Sequence, residues 1–257
     1  MRLIRRYVPA GVFLALLVGG WEVYVRARGI EEYVLPAPSD VWPEFWRMAP
    51  DLGYDVQITT VEAVLGLLLA ASTGVALSLV MALSSTTRRA VYPVVVVSQT
   101  IPAFVLAPVF AVWLGFEELL PKVLVVALFG FFPITVATFG GLTRADTDTV
   151  DLVRSFGANR AQILRLVQIP EAVPSFFSGL RIAAAYSVVG AVIGEWMGGS
   201  HGLGLVMTRA RNSFRNDRVF VAVIVVALVS LALFALVSLL ARVATPWTTT
   251  TAGGDRT

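Results

Sequence analysis

The chain has 257 residues, of which 57% are hydrophobic and 14% charged, with a mean hydropathy of +0.78, whereas soluble proteins carry roughly a quarter charged residues. This composition excludes a soluble single domain and, with apolar blocks long enough to cross a bilayer, predicts an all-α polytopic membrane protein. With no Cys and one His, disulfides are impossible and no metal site is expected, and a dispersed net charge of +3 argues against nucleic-acid binding.

About 20 apolar residues span a hydrocarbon core of roughly 30 Å, so uncharged runs predict the crossings. They fall at Tyr7–Trp21 (extended past Glu22 to Val25), Ala63–Thr87, Ala90–Phe116, Val123–Thr143, Ile182–Thr208 and Val219–Ala241. The first follows Arg2, Arg5 and Arg6 and carries features of a signal peptide, but the charged Arg26 and the five further runs favour a retained span. Between the first two runs, Ser39 or Asp40 is suited to cap a short helix ending at Met48, with Trp42, Phe45 and Trp46 fit for the membrane interface.

The third run contains Pro93, Pro102 and Pro108, which predict a kinked or broken helix. Its neutral polar residues Ser98, Gln99 and Thr100, like Ser187 in the fifth run, either meet a solute or bond between helices. Glu195 is the only charge in the fifth run. A carboxylate there faces a solute or gate, or else caps the amides of the glycine-rich turn that follows, Gly198–Gly204; both readings stand on sequence alone. Glu62 fits the outer interface, and His201 reads as a solvated turn residue. The candidate pathway residues are therefore Gln99, Thr100, Pro102, Ser187 and Glu195.

With the amino terminus in the cytoplasm, 12 basic residues fall on inner segments and 8 on outer ones, which places both termini inside. The longest inner connection, residues 144–181, reads as two short helices. Asp148 or Thr149 caps the first, Gly157 supplies the turn, and Asn159 caps a second that runs to Val167 before Pro170 stops it. Residues 1–247 form one transmembrane domain, and residues 248–257 are expected to be disordered. No parallel or inverted repeat is evident.

From Asp151 to Pro170 the sequence DLVRSFGANRAQILRLVQIP resembles the cytoplasmic EAA loop of ATP-binding cassette (ABC) importer permeases. Gly157, Val167, Ile169 and Pro170 match the family spacing, while Asp151 replaces the glutamate and Leu152-Val153 the two alanines. The likeness extends over LPAPSDVW, SQTIPAFVLAPVFAVWLGF, FFPITVATFGGL and SGLRIAAAYSVVGAVIGEWMGGSHGLG. Together these resemble the inner-membrane permease branch that imports sulfonates, taurine, nitrate or pyrimidine thiamine precursors. The resemblance implies a type I ABC importer permease fold of about six spans and a homodimer. It also implies a separate ABC ATPase docked on Asp151, Leu152, Val153, Gly157, Ala158, Val167, Ile169 and Pro170, and an extracytoplasmic solute-binding protein.

The chain has no phosphate-binding loop, so it is not expected to be an enzyme or to bind a cofactor; ATP is used by the partner subunit. Glu62, the run from Ala183 to Gly204 and Pro246-Trp247 resemble most the hydroxymethylpyrimidine permeases, and predicted spans free of Lys and Arg suit a neutral ring. Sulfonate, taurine or nitrate is the alternative solute. An ion-coupled secondary transporter is the rival from another class, and it needs ion sites near the midplane, ideally in repeated halves.

Overall fold

The computed structural model describes residues 2–247, with side-chain environments from Val8 onward; the expected disordered tail lies outside the described residues. Every regular element among the described residues is helical. In chain order these are α1 (Arg2–Arg28), α2 (Pro38–Met48), α3 (Gly53–Leu83), α4 (Ser85–Ser98), α5 (Ala103–Leu114), α6 (Leu119–Thr143), α7 (Thr147–Ser155), α8 (Arg160–Ile163), α9 (Ile169–Glu195), α10 (Leu203–Asn212) and α11 (Asn216–Ala244). Five helical segments are long and apolar enough to span a bilayer, and α4 with α5, bent by 93°, makes a sixth.

The core is α3, α6 and α9, joined by a seam of small residues. Gly66 and Gly74 of α3 lie against Val126 and Ile134 of α6, so these two helices run parallel. Gly130 faces Ala183, and Gly179 is so close to α6 that a Cβ there would sit 2.6 Å from the Pro133 carbonyl oxygen, so α9 runs antiparallel to α6. Small residues let backbones approach where lipid supplies no hydrophobic drive for helix association. Ala63, Ala70, Ala183, Ala184 and Ala191 fill the seam, and Leu233 and Val237 of α11 close it.

The parallel α3 and α6 require the chain to recross between them, which is what α4 and α5 do. Arg88 of α4 stacks 5.2 Å over Phe139 near the carboxyl-terminal end of α6, and the bend shares a cavity with Leu128, Phe129 and Phe131 halfway along it. The break falls at Gln99–Pro102, because Pro102 cannot donate and biases the preceding residue away from the helical region. Pro93 and Pro108 remain inside their helices.

Several predicted bounds shift. The second span starts at Gly53 rather than Ala63, because its early charges Asp55 and Glu62 find partners. It ends before the extended Ser84, which caps α4 by accepting from the Thr87 N–H. The fifth span begins at Ile169 rather than Ile182, so Arg181 lies inside it, and the glycine-rich stretch beyond Glu195 is a turn leading into α10. The α2 cap is Ala37, whose N–H donates to Asp40 across 3.2 Å. Helix α1 is peripheral, touching the bundle where Trp21 meets Phe220, with ring centroids 5.1 Å apart.

Candidate functional site

Two clusters lie at opposite ends of the bundle, and a third group of residues lies halfway between them. At the end that the sequence expectation turns outward, called the outer end below, Asp55, Thr59 and Glu62 occupy one face of α3 at helical spacing. Glu195, at the last position of α9, is 1% exposed. Its Oε1 accepts from the Thr59 hydroxyl at 2.5 Å and its Oε2 from the Gly204 N–H at 2.5 Å. The Leu203 N–H donates to Thr59 Oγ1 at 2.9 Å, and the Gly202 N–H to Asp55 Oδ1 at 2.7 Å. Three successive amides at the start of α10, all of them orphans at a helix amino terminus, are thus held by α3 and α9. Gly202 has φ +127°, and any Cβ would collide with the Glu195 carboxylate.

Beside this latch Lys122 of α6, 6% exposed, pairs with Glu62 Oε1 at 3.2 Å. Each charge is buried where alone it would be costly, and the pair offsets part of that cost, with Glu62 Oε2 left buried without a hydrogen-bond partner. The cluster borders an outer cavity of about 370 Å³ whose wall includes Tyr54, Gln57, Glu117 and His201. His201 rests edge-on against Tyr54 and lies 3.5 Å from Asp55, so it is anchored rather than simply solvated. A second outer network joins α2 to the start of α11: Glu44 meets Arg218 at 2.8 Å and Arg215 and Arg47 at 3.1 Å each. The adjacent Asp217 raises the Arg215 pKa further above its ordinary value.

At the opposite end, expected to face the cytoplasm and called the inner end below, α7 and α8 form a hairpin. Asp146, rather than Asp148 or Thr149, caps α7, accepting from both of their amides at 3.3 and 3.2 Å. These bonds, with the Thr149 hydroxyl at 2.7 Å, hold its carboxyl below the usual range. Gly157 at φ +85° ends α7, with bonds from Gly157 N–H to Arg154 O and Ala158 N–H to Val153 O; this is the paired closure that a left-handed residue permits. Asn159 and Gln162 cap α8 reciprocally.

Pro170 does not stop the second helix. One wide turn, Leu164–Gln168, in which the Ile169 N–H reaches back to Leu164 O, inserts a residue ahead of the proline. The chain then continues as α9, with Pro170 in its first turn, where a missing donor costs little. The hairpin is tied to the bundle by Arg160 Nη2 on the Ala82 carbonyl at 2.6 Å and by the Asp146 N–H on Glu171 at 3.2 Å. Ile163, Leu164 and Val167 are buried, whereas Leu152 is 56% and Phe156 81% exposed. Among the described residues Asp151 pairs with Arg154, across 2.8 Å at the surface.

Midway, Gln99 and Pro102 line a cavity of about 240 Å³ at the α4–α5 bend, together with Ser98 and Phe104. Thr100 is beside it and donates its hydroxyl to Val97 O. Ser187 is buried elsewhere, bonded to Ala184 O, so the five pathway candidates do not converge on one place. Sequence reasoning missed Lys122 and Arg181 as intramembrane charges, and the expectation of spans free of Lys and Arg is corrected by both. The packing of Gly179 on Pro133 and Ala183 on Gly130 puts Arg181 at the middle of the bundle. An arginine at that depth costs about 2.5–3.5 kcal/mol on insertion scales.

The profile of the family described as "Binding-protein-dependent transport system inner membrane component" matches residues 52–249. The chain is similar to the formylaminopyrimidine transport permease protein ThiX of Halalkalibacterium halodurans, 36% identical over 93% of this chain and 95% of that one. It is also similar to the riboflavin transport system permease protein RibX of Chloroflexus aurantiacus, 35% identical over 92% and 88%. A third relative is the putative aliphatic sulfonates transport permease protein SsuC of Bacillus subtilis, 29% identical over 91% and 85%. The fold matches that of a chain in the inward-facing MetNI methionine ABC transporter with a TM-score of 0.55 at 22% identity, covering 76% of this chain and 97% of that one.

Proposed function

The chain belongs to the binding-protein-dependent transport system inner membrane components, as an ABC importer permease, and from that premise we propose how it works and what it carries. We take residues 1–247 as one permease domain with both termini in the cytoplasm. It acts as a homodimer, with an extracytoplasmic binding protein delivering solute at the outer end and two ABC ATPase subunits docked at the inner end. ATP is hydrolysed by those subunits, and this chain needs no cofactor of its own.

The observation that carries the reading is the inner hairpin. Leu152 and Phe156 are exposed on a short helix whose base is fastened to the ends of α3 and α9, the two helices that also build the outer latch. A rigid partner gripping Asp151, Leu152, Val153, Gly157 and Ala158 would move α9 through Val167, Ile169 and Pro170, and alternating access is such a movement of packed helices between two arrangements. Glu195, with both oxygens committed to Thr59 and Gly204, serves better as the outer clasp than as a solute ligand. Gln99, Thr100 and Pro102, at the mid-depth bend, are the better pathway group.

For the solute we propose a small heteroaromatic of the pyrimidine thiamine-precursor type. The similarity to ThiX, named for formylaminopyrimidine, and to RibX, named for riboflavin, supports it. Sulfonate, taurine or nitrate is the alternative, supported by the similarity to SsuC. The test is uptake into proteoliposomes holding the permease, its ATPase and its binding protein. ATP-dependent accumulation of formylaminopyrimidine but not taurine is expected; the reverse would move the solute to the sulfonate class. Gly157→Pro should abolish solute-stimulated ATP hydrolysis while the permease stays folded, and undiminished stimulation would remove the docking role from the hairpin.

A further inference from the structure

Arg181 is 12 residues beyond the start of α9 at Ile169 and 14 before its end at Glu195. At 1.5 Å per residue, that is about 18 and 21 Å from the two helix ends. The packing of Gly179 on Pro133 and of Ala183 on Gly130 places it level with the centre of α6. This is also the depth at which Leu128, Phe129 and Phe131 line the cavity at the α4–α5 bend.

The guanidinium makes no ion pair or hydrogen bond among the described residues, and its Nε is buried with no acceptor. The rest of the side chain is partly exposed, at the edge of an open stripe of α9 that includes Ile182, Tyr186 and Val189. A cation in this position needs a counter-group. Lipid headgroups lie about 15 Å away on either side, beyond the reach of one arginine side chain. A second copy of the chain offers no carboxylate either. The acids of the described spanning helices, Glu22, Asp55, Glu62, Glu171, Glu195 and Asp217, all sit towards helix ends.

We propose that Arg181 is the solute-binding donor at the midpoint of the path, and that the transported molecule crosses by presenting hydrogen-bond acceptors to it. The ring nitrogen or formyl oxygen of a formylaminopyrimidine fits, and so do the oxygens of a sulfonate or nitrate; the guanidinium fork matches any of these with paired N–H groups. The inference rests on the chain being an importer permease but not on which of these solutes it carries. The acceptors on the solute replace the water that the arginine would otherwise hold, so the charge is satisfied while the path is occupied.

The test uses the assembled importer in proteoliposomes, with Arg181→Gln and Arg181→Lys, reading solute accumulated per ATP hydrolysed and the thermal midpoint. Loss of a charge-assisted contact should lower solute per ATP by about tenfold or more in the Gln variant, with a smaller loss for Lys, which keeps the charge but not the fork. An unchanged ratio, or uptake and ATP hydrolysis falling together with the thermal midpoint, would overturn the proposal in favour of a structural arginine. If wild-type protein fails to carry formylaminopyrimidine but carries an anion whose uptake per ATP falls in the Gln variant, the site stands and only the solute reading is lost.

Discussion

At the outer end, Glu62, Lys122, Glu195 and Thr59 are all less than a tenth exposed and bonded to one another or to backbone, whereas at the inner end α7 buries none of its residues. The outer cluster joins α3, α6, α9 and the turn before α10 through side chains distant in sequence; Thr59 and Glu195 are 136 residues apart. The inner hairpin is built almost wholly from contacts two to five residues apart, its own caps and turns, and touches the bundle by two polar bonds and a small apolar patch. One end is therefore part of the fold's stability, and the other is a preformed shape standing clear of the bundle, as the proposed docking role requires. Substitutions should separate the two: those outside should unfold the protein, and those inside should leave it folded and uncoupled.

The largest expected loss of stability follows from breaking the buried pair. Lys122→Met strands the Glu62 carboxylate and should cost about 3–5 kcal/mol, read as a fall in thermal midpoint. Adding Glu62→Leu to that variant should recover most of it, because the second change removes the stranded charge. If the double variant is no more stable than the single one, the pair does not act as a unit. Gly202→Ala should come next, costing about 1–3 kcal/mol from the φ alone, with further loss because its Cβ meets the Glu195 carboxylate. A neutral outcome there would mean the latch opens without penalty.

Leu152→Ser with Phe156→Ser should change the thermal midpoint by no more than an exposed substitution does, within about 0.5 kcal/mol. Co-purification of the ATPase should nevertheless be lost. A fall in stability with the complex intact would place these side chains in the fold instead of at the docking surface.

The same contrast explains what the sequence made legible. Local features were readable: the Gly157 turn and the Asn159 cap depend on neighbours within a few positions, as does the break near Pro102. Long-range features were not. Counting uncharged runs set the fifth span too far along the chain, because it treated Arg181 as a boundary and the glycine-rich turn as membrane. The Glu62–Lys122 pair spans 60 positions, and only the parallel packing of α3 on α6 brings its members together. The Pro170 stop failed because a single wide turn absorbs a proline, a backbone adjustment with no residue signature.

The smallest expected effect tests the cap of the inner hairpin. Asp146 is exposed, and its bonds from the Thr149 and Asp148 amides and the Thr149 hydroxyl lower its pKa. A carboxylate whose pKa is depressed on folding contributes its stabilisation fully above the unfolded value. The contribution fades as the pH falls through the lower folded value, where protonation removes the negative charge from the helix amino terminus. Asp146→Asn keeps an acceptor at the cap but has nothing to titrate. Hydrogen exchange at the amides of Asp148 and Thr149, compared between wild type and Asp146→Asn at each pH, should show better protection in wild type near neutrality. The two should converge below the ordinary Asp range. A gap that persists unchanged into acid would mean that shape rather than charge sets the cap, and a gap that spread to α3 or α9 would contradict the separation of the two ends.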